Sequence, residues 1–466
     1  MNEMKHDLGL RSIKCLNAIL MSVPLALVWF FYYSNAIPFE IDFFYRAVVA
    51  VGYLVLYALL AHTYDGFFIS LFRKTEIVYS QMLAAFIADC IVFVVICLLT
   101  YSIPNVLLML AVVAAQFVIS LLWTVLANLW YFSTYSHKKT AIIYDLRRGM
   151  DDLINSSDMR RKFNVVASSS IDECLENNMK ILEDVEVVFI CGVHSHERNI
   201  VIKKCVAMGI VVYLLPRIGD VVMSGARKMH MFHLPILKVA RYRPSPEHRF
   251  VKRAMDICAS GLALIIASPF MLITAIAIKL EDGGPVFYKQ CRLTKDGKKF
   301  NVLKFRSMRV DAEKDGVARL SSGDKDDRIT KVGRFIRKVR IDELPQLLNI
   351  LGGSMSIVGP RPERPEIAAK YVKELPEFDL RLQCKAGLTG YAQVYGKYNT
   401  TPYDKLQMDL MYIANPSIWE DLKIIFFTIK ILFMKESTEG VGEGDGKGGS
   451  NDGQKGDDIK IFGDLS

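Results

Sequence analysis

The chain has 466 residues, 52% of them hydrophobic, and a formal net charge of +9. That length exceeds one ordinary domain, and so apolar a composition excludes a wholly soluble protein, which places part of the chain in lipid. The positive balance suits an anionic lipid surface or a phosphate-bearing ligand. The nine cysteines contain no CxxC pair and read as reduced and structural.

Apolar runs fall at 15–34, 47–64, 80–101 and 105–132, each near the ~20 residues a helix needs to cross a bilayer. Residues 1–132 are therefore expected to form a four-helix transmembrane domain. Lys5, Arg11 and Lys14 precede the first run, Arg73 and Lys74 separate the second from the third, and Lys138, Lys139, Arg147 and Arg148 follow the fourth. By the positive-inside rule, both ends of this domain face the cytoplasm. Asp89 inside the third run and Arg46 at the start of the second are candidates for an intramembrane pair, most simply a structural one. No cleavable signal peptide is expected, because further membrane runs follow the first.

From about 138 the texture changes. "TAIIYDL", "KFNVVAS", "VEVVFICG" and "GIVVYLLPR" are short β-branched runs separated by polar helical stretches at 170–182 and 194–208. Strands alternating with helices predict a parallel α/β sheet, a Rossmann-like domain over 133–240. Its first strand leads into "YDLRRGMDDL", where a dinucleotide site needs G-x-G-x-x-G and only Gly149 is present. The domain is expected to be a structural or regulatory module.

Residues 254–280, "AMDICASGLALIIASPFMLITAIAIKL", are long enough to span the membrane once. Arg249, Lys252 and Arg253 precede this run, and Lys279, Lys289, Arg292, Lys295, Lys298, Lys299 and Lys304 follow it. Both flanks demand the same side. Pro269 removes a backbone donor and Ser268 offers a hydroxyl to a freed backbone group, so the run is expected to enter the membrane and return about that break. The alternative is a proline-kinked fifth span.

After it, "VFYKQ" and "FNVLKFR" alternate as strands about the turn "KDGKK", with Lys304 and Arg306 as candidate phosphate ligands. Ile329, Val332, Ile336 and Val339 recur at helical spacing, leaving Lys331, Arg334, Arg337 and Lys338 on the polar side. A new helix is expected near 342, because Pro345 is tolerated in a first turn. That places Asp342 and Glu343 at a helix N-terminus, where a carboxylate caps the helix, binds a divalent metal or attacks phosphorus. "SIVGPRPERPE" follows as a rigid loop presenting Pro360, Arg361 and Glu363.

Over 249–434 the motifs "KRAMDI", Ser268-Pro269, "GGPVFYKQ", "KFRSM", "DELPQLLNIL", "SIVGPRPE", "GLTGYAQV" and "DLMYIANPSIWEDLKIIFFTI" together resemble the polyprenyl-phosphate hexose-1-phosphate transferases, also called monotopic phosphoglycosyl transferases. The preceding spans and α/β module are similar to the large bacterial subclass that starts exopolysaccharide, capsule or O-antigen assembly. The resemblance implies a catalytic α+β domain over 241–434 with a re-entrant membrane helix hairpin at 254–280, on the cytoplasmic side of the bacterial inner membrane. It implies that Asp342 attacks the β-phosphate of a UDP-sugar, releasing UMP, and that polyprenyl (undecaprenyl) phosphate then takes the sugar phosphate. Mg²⁺ is the implied cofactor, with Asp342 as its ligand, and Glu343 assists the second step or shapes the metal site. Arg337 and Arg361 match phosphate-holding positions, Lys304 and Arg306 less closely, and Pro360 and Glu363 belong to the loop near the nucleotide. The implied partners are the UDP-sugar, polyprenyl phosphate and membrane lipid, with no nucleic acid and with a homodimer left open. The tail 435–466 is Gly-rich and acidic and is expected to be disordered. Competing readings are an oxidoreductase or dehydratase built on the α/β domain, which would need the missing glycine motif, and a non-catalytic membrane scaffold.

Overall fold

The computed structural model describes residues 2–38, 40, 42–70, 72–135, 137–145, 162–310, 312, 326, 328–396 and 401–432. It divides into two compact units, Met1–Leu215 and Pro216–Ser466.

The first unit opens with four long helices, α1 (Asn2–Phe31), α2 (Phe43–Thr63), α3 (Lys74–Thr100) and α4 (Val106–Thr134). All four are long and apolar enough to cross a membrane. They present Leu27, Val55, Val94, Leu98, Leu122 and Leu126 outward, an apolar surface of the kind that faces lipid. Polar groups lie between the helices instead. Tyr57 Oη donates to Asn17 Oδ1 (2.9 Å) and Ser120 Oγ to Gln81 Oε1 (2.8 Å). Asp89 accepts from Tyr53 Oη (2.7 Å) and Gln116 Nε2 (3.3 Å). The side-chain partners of Asp89 are thus Tyr53 and Gln116 rather than Arg46, which lies in the first turn of α2.

A parallel sheet follows, β1 (Lys138–Tyr144), β2 (Phe163–Ser170), β3 (Val187–Cys191) and β4 (Val211–Leu214), in the order β2-β1-β3-β4. Helices α5 (Ile171–Glu176) and α6 (Ser195–Ala207) connect its strands. Alternation along β1 and β3 sends Ala141, Ile143, Val188 and Ile190 into one apolar layer with Cys174, Val201 and Cys205, and Ile142, Val187 and Phe189 into another. The segment after β1 where a glycine motif was sought, including Gly149, lies outside the described residues, as does the tail from 433.

The second unit begins at 216 rather than at the expected 241. Its first helix, α7 (Ile218–Ser224), buries Val221 with Leu406 and Leu410 in the core of this unit, so residues 216–240 do not belong to the parallel sheet. An exposed antiparallel hairpin, β5 (Arg227–Met231) and β6 (Leu234–Lys238), comes next. Then α8 runs from Pro246 to Asp282, with the Ser245 side chain capping its N-terminus and Gly283, at φ +71°, closing its C-terminus.

Helix α8 is one helical run containing Pro269, where two arms about a break were expected. The reason lies in the residue before the proline. Pro269 cannot donate to the carbonyl of Ile265, and Ser268 Oγ donates to that same carbonyl at 2.8 Å. Only 11% of the most apolar stretch of α8 is covered by protein, the least among the five helices of this character in the described residues.

The rest of the unit is built around α8. Strands β7 (Phe287–Leu293) and β8 (Lys299–Phe305) form the expected antiparallel hairpin. Helix α9 (Lys331–Lys338), a 3₁₀ turn (Ile341–Glu343), α10 (Gln346–Leu351), β9 (Ser356–Val358), α11 (Pro365–Glu374), β10 (Gly387–Thr389), α12 (Tyr391–Tyr395), α13 (Pro402–Ala414) and α14 (Ile418–Leu432) complete it. Leu347, Ile350, Met355, Val358, Phe378, Leu410 and Ile424 share its core.

Candidate active site

Asp342 and Glu343 lie on the 3₁₀ turn that leads into α10. Arg340, just ahead, is held at φ +56°, a left-handed conformation that costs an L-residue about 1–2 kcal/mol. That kink separates α9 from α10 and turns Asp342 inward, so that it is only 9% exposed.

Glu343 is tied from two sides. Lys304 Nζ and Arg361 Nη2 both donate to its Oε1, each at 2.9 Å. Lys304 reaches it because β8 is stitched to α10: the Leu303 amide donates to Asn349 Oδ1 and Asn349 Nδ2 donates to the Asn301 carbonyl, both at 2.9 Å. Arg361 reaches it because its loop is pinned by its own carbonyls. Arg381 Nη2 donates to the Arg361 carbonyl (2.9 Å), Arg292 Nη1 to the Pro362 carbonyl (2.9 Å) and the Leu293 amide to the Glu363 carbonyl (3.0 Å).

The same loop depends on close backbone approach. The Gly387 amide donates to the Pro360 carbonyl and the Gly359 amide to the Thr389 carbonyl, both at 2.9 Å. A Cβ on Gly387 would collide with the backbone of Gly359, and one on Gly359 with the carbonyl of Lys385. Neither obstacle is a movable side chain.

The two carboxyls are pushed apart. Burial, reinforced by the neighbouring charge of Glu343, raises Asp342 to about 6 against the opposing pull of Lys304, Arg337 and Arg361. Burial acts upward on Glu343 too, but the charges of Lys304 and Arg361 outweigh it and hold this carboxyl well below its usual range. Glu343 is thus a fixed anion, while Asp342 ionises near neutrality and keeps a basic carboxylate.

Beside the pair, Arg292, Lys304, Gln346, Arg361, Pro362, Gly387 and Leu388 line a cleft. Burial, and then the adjacent Arg361 charge, push Arg292 down to about 10 against the opposing pull of Glu363 and Glu343.

The expected site residues fall into two groups. Asp342, Glu343, Lys304 and Arg361 come together directly, Arg337 acts on Asp342 through its charge, and Pro360 holds the loop through its carbonyl. Arg306 and Glu363 do not join them. Arg306 lies beyond the end of β8, is buried, and pairs with Asp282 at the end of α8. Glu363 pairs with Lys405 (2.7 Å), Arg381 (3.6 Å) and Arg292 (3.9 Å) behind the loop, which places it among supports. Arg292 and Gln346 were missed. For Arg292 a signal existed: Tyr288 pairs with Lys304 and Arg292 with Phe300 across the hairpin, so period-two alternation puts Arg292 and Lys304 on one face.

Two carboxylates with one oxygen of Glu343 already engaged suit a cation that takes its remaining ligands from phosphate, the habit of magnesium. Among the described residues no group of three or more His, Cys, Asp or Glu gathers to hold a metal by itself.

Fold and site together define a membrane-associated protein whose second unit carries a buried carboxylate pair beside a cationic cleft. The family described as bacterial sugar transferase matches residues 247–435. The chain is 40% identical over 232 residues to a UDP-N-acetylgalactosamine-undecaprenyl-phosphate N-acetylgalactosaminephosphotransferase of Aeromonas hydrophila, covering 49% of this chain and 54% of that one. It is 39% identical over 223 residues to a UDP-glucose:undecaprenyl-phosphate glucose-1-phosphate transferase of Escherichia coli K12, covering 47% and 48%. It is 41% identical over 201 residues to an exopolysaccharide production protein of Rhizobium leguminosarum bv. phaseoli, covering 41% of this chain and 98% of that one. The match spans about half the length of the first two relatives. The chain belongs to the bacterial sugar transferase family.

Proposed function

We propose that this protein transfers a sugar 1-phosphate from a UDP-sugar to undecaprenyl phosphate at the cytoplasmic face of the bacterial inner membrane, the first step of a surface polysaccharide. The observation that carries the reading is Asp342, a buried carboxyl raised to about 6 beside a cleft lined by Arg292, Lys304 and Arg361. The names of the Aeromonas and Escherichia relatives supply the substrate class.

Asp342 attacks the β-phosphorus, the bond from that phosphorus to the bridging oxygen breaks, and UMP leaves with the electron pair. An oxygen of undecaprenyl phosphate then attacks the same phosphorus and frees the Asp342 carboxylate. Splitting the transfer lets two polyanions bind in turn instead of together. Lys304 and Arg361 hold Glu343 and, with Arg292 and Arg337, supply the positive field for the diphosphate. Glu343, anchored through Oε1 by two cations, serves this reading as a fixed anion beside the nucleophile. Magnesium, held by Asp342 and Glu343, would supply charge neutralisation between carboxylates and phosphates.

The re-entrant reading of α8 belongs to this proposal. Arg253 and Asp256 near its start bond residues 350–357, and Glu281 and Asp282 at its end bond Lys331 and Arg306. A straight crossing of a ~30 Å core would put these two ends on opposite sides. Ties from both ends to one unit support entry and return on one side.

The test is UMP release from a panel of UDP-sugars with undecaprenyl phosphate in membranes. The active sugar identifies the donor, and Asp342→Asn is expected to release no UMP while inserting normally. Full activity in that variant would sink the nucleophile assignment.

A further inference from the structure

Resting on the transfer reaction above, we infer that Arg253 and Asp256 of α8 are positioning residues that set the two walls of the cleft, Arg253 through α10 and Asp256 through β9. The two residues lie three apart, on one face of the helix. Neither touches the cleft.

Arg253 donates from Nη1 to the carbonyl of Ile350 and from Nη2 to that of Leu351, both at 2.7 Å. These are terminal carbonyls of α10; that of Ile350 also accepts the Gly353 amide at 3.0 Å, so Arg253 adds a side-chain tie to the end of the helix. Leu347 and Ile350 bury α10 in the core and Asn349 ties its flank to β8 at one point; apolar contact is non-directional, so the C-terminal end of this six-residue helix needs a second tie to set its axis. A planar two-pronged fork on consecutive carbonyls fixes that axis, and an ammonium group cannot copy it. The other end of α10 continues into Glu343 and Asp342.

Asp256 is 3% exposed. Its Oδ1 accepts from Ser356 Oγ and from the Ile357 amide, both at 3.0 Å. These residues begin β9, the strand that runs through Gly359 and Pro360 to Arg361. One helical turn of α8 therefore holds the nucleophile side and the arginine side of the cleft at once, and the same helix carries the apolar stretch from 262 to 276.

The experiment uses the full chain in its membrane, with rates normalised to active sites counted by the single-turnover UMP burst. Arg253→Lys keeps the charge and loses the fork. Displacing a reacting group by ~1 Å costs on the order of 100-fold, so a fall in kcat of at least roughly tenfold is expected. KM should stay within about twofold. Asp256→Ala is expected to act on Arg361 and raise KM for the UDP-sugar by roughly tenfold, and Asp256→Asn, which keeps the acceptor oxygen, should restore it. Both variants showing wild-type kcat per site and KM, with losses only in the number of sites, would overturn the inference. If the wild-type chain itself releases no UMP, the reaction reading fails separately. Hydrogen exchange then decides: positioning requires faster exchange confined to 341–351 in Arg253→Lys and to 356–361 in Asp256→Ala, and uniform loosening that includes 402–414 overturns it.

Discussion

Replacing Asp342 with Asn is expected to stabilise the folded chain while removing the proposed nucleophile. The carboxyl is raised from its ordinary 3.8 to about 6 by burial and by Glu343. A raised folded value means that the folded chain binds the proton more tightly than the unfolded one. Wild-type stability therefore falls as pH rises from about 4 through about 6. At ~1.4 kcal/mol for each tenfold change in proton affinity, the ionised carboxylate carries a penalty of about 3 kcal/mol at pH 8. Asparagine has the same shape and no charge to bury. The gain should appear as a rise in melting temperature of roughly 6–12 °C at pH 8, shrinking to nothing near pH 4, where wild-type Asp342 is itself neutral. The assay is thermal unfolding of the second unit's signal in the intact membrane-embedded chain, in chelator, so that no cation neutralises the pair. An unchanged or lower melting temperature at pH 8, or a gain that does not fade with acid, would refute the reasoning.

Three further outcomes follow from the same geometry. The limiting rate of UMP formation should rise with pH through about 6 as Asp342 ionises, and Glu343→Gln, which removes the neighbouring negative charge, should move that limb to lower pH in a rate profile. Gly387→Ala forces a Cβ onto the backbone of Gly359, so urea unfolding should register a loss of about 1–3 kcal/mol together with weakened UDP-sugar binding. Asp421→Ala leaves the Lys252 charge without the carboxylate bonded to it at 2.8 Å, with only the Tyr412 hydroxyl at 3.0 Å, and removes the acceptor that Tyr412 holds at 2.7 Å. Denaturation should report a loss of about 3–5 kcal/mol, largely recovered in a Lys252→Met, Asp421→Leu double variant.

Much of the architecture was legible because it rests on periodicity. The four apolar runs became α1–α4, the β-branched runs became a parallel sheet, and "VFYKQ" and "FNVLKFR" became a hairpin. The turn bearing Asp342 and Glu343 was legible from Pro345 and the basic helix before it. What stayed hidden depends on contacts between distant segments. Arg306 and Lys304 are two residues apart, yet the strand ends between them, and only the arrival of Asp282 decides where Arg306 goes. Glu363 looked like Arg361's companion in a short loop, but Lys405, from a helix over forty residues on, claims it. The boundary at 215 was invisible because α7 finds its partner in α13, far along the chain. Asp89 found Tyr53 and Gln116 because neutral donors bury more cheaply than a second charge.

Helix α8 has a mechanical consequence. Its ends are clamped by polar bonds at 252–256 and 281–282, while Leu262, Ile265, Ile266, Phe270, Leu272 and Ile273 are exposed between the clamps. On the re-entrant reading proposed above, a bilayer that thins, thickens or changes composition would pull on this unsupported middle, at a proline whose missing bond a serine hydroxyl replaces. The clamps lie between that middle and Asp342. The helix behaves as a moored float, following the lipid at its centre while its moorings keep the reacting groups in register.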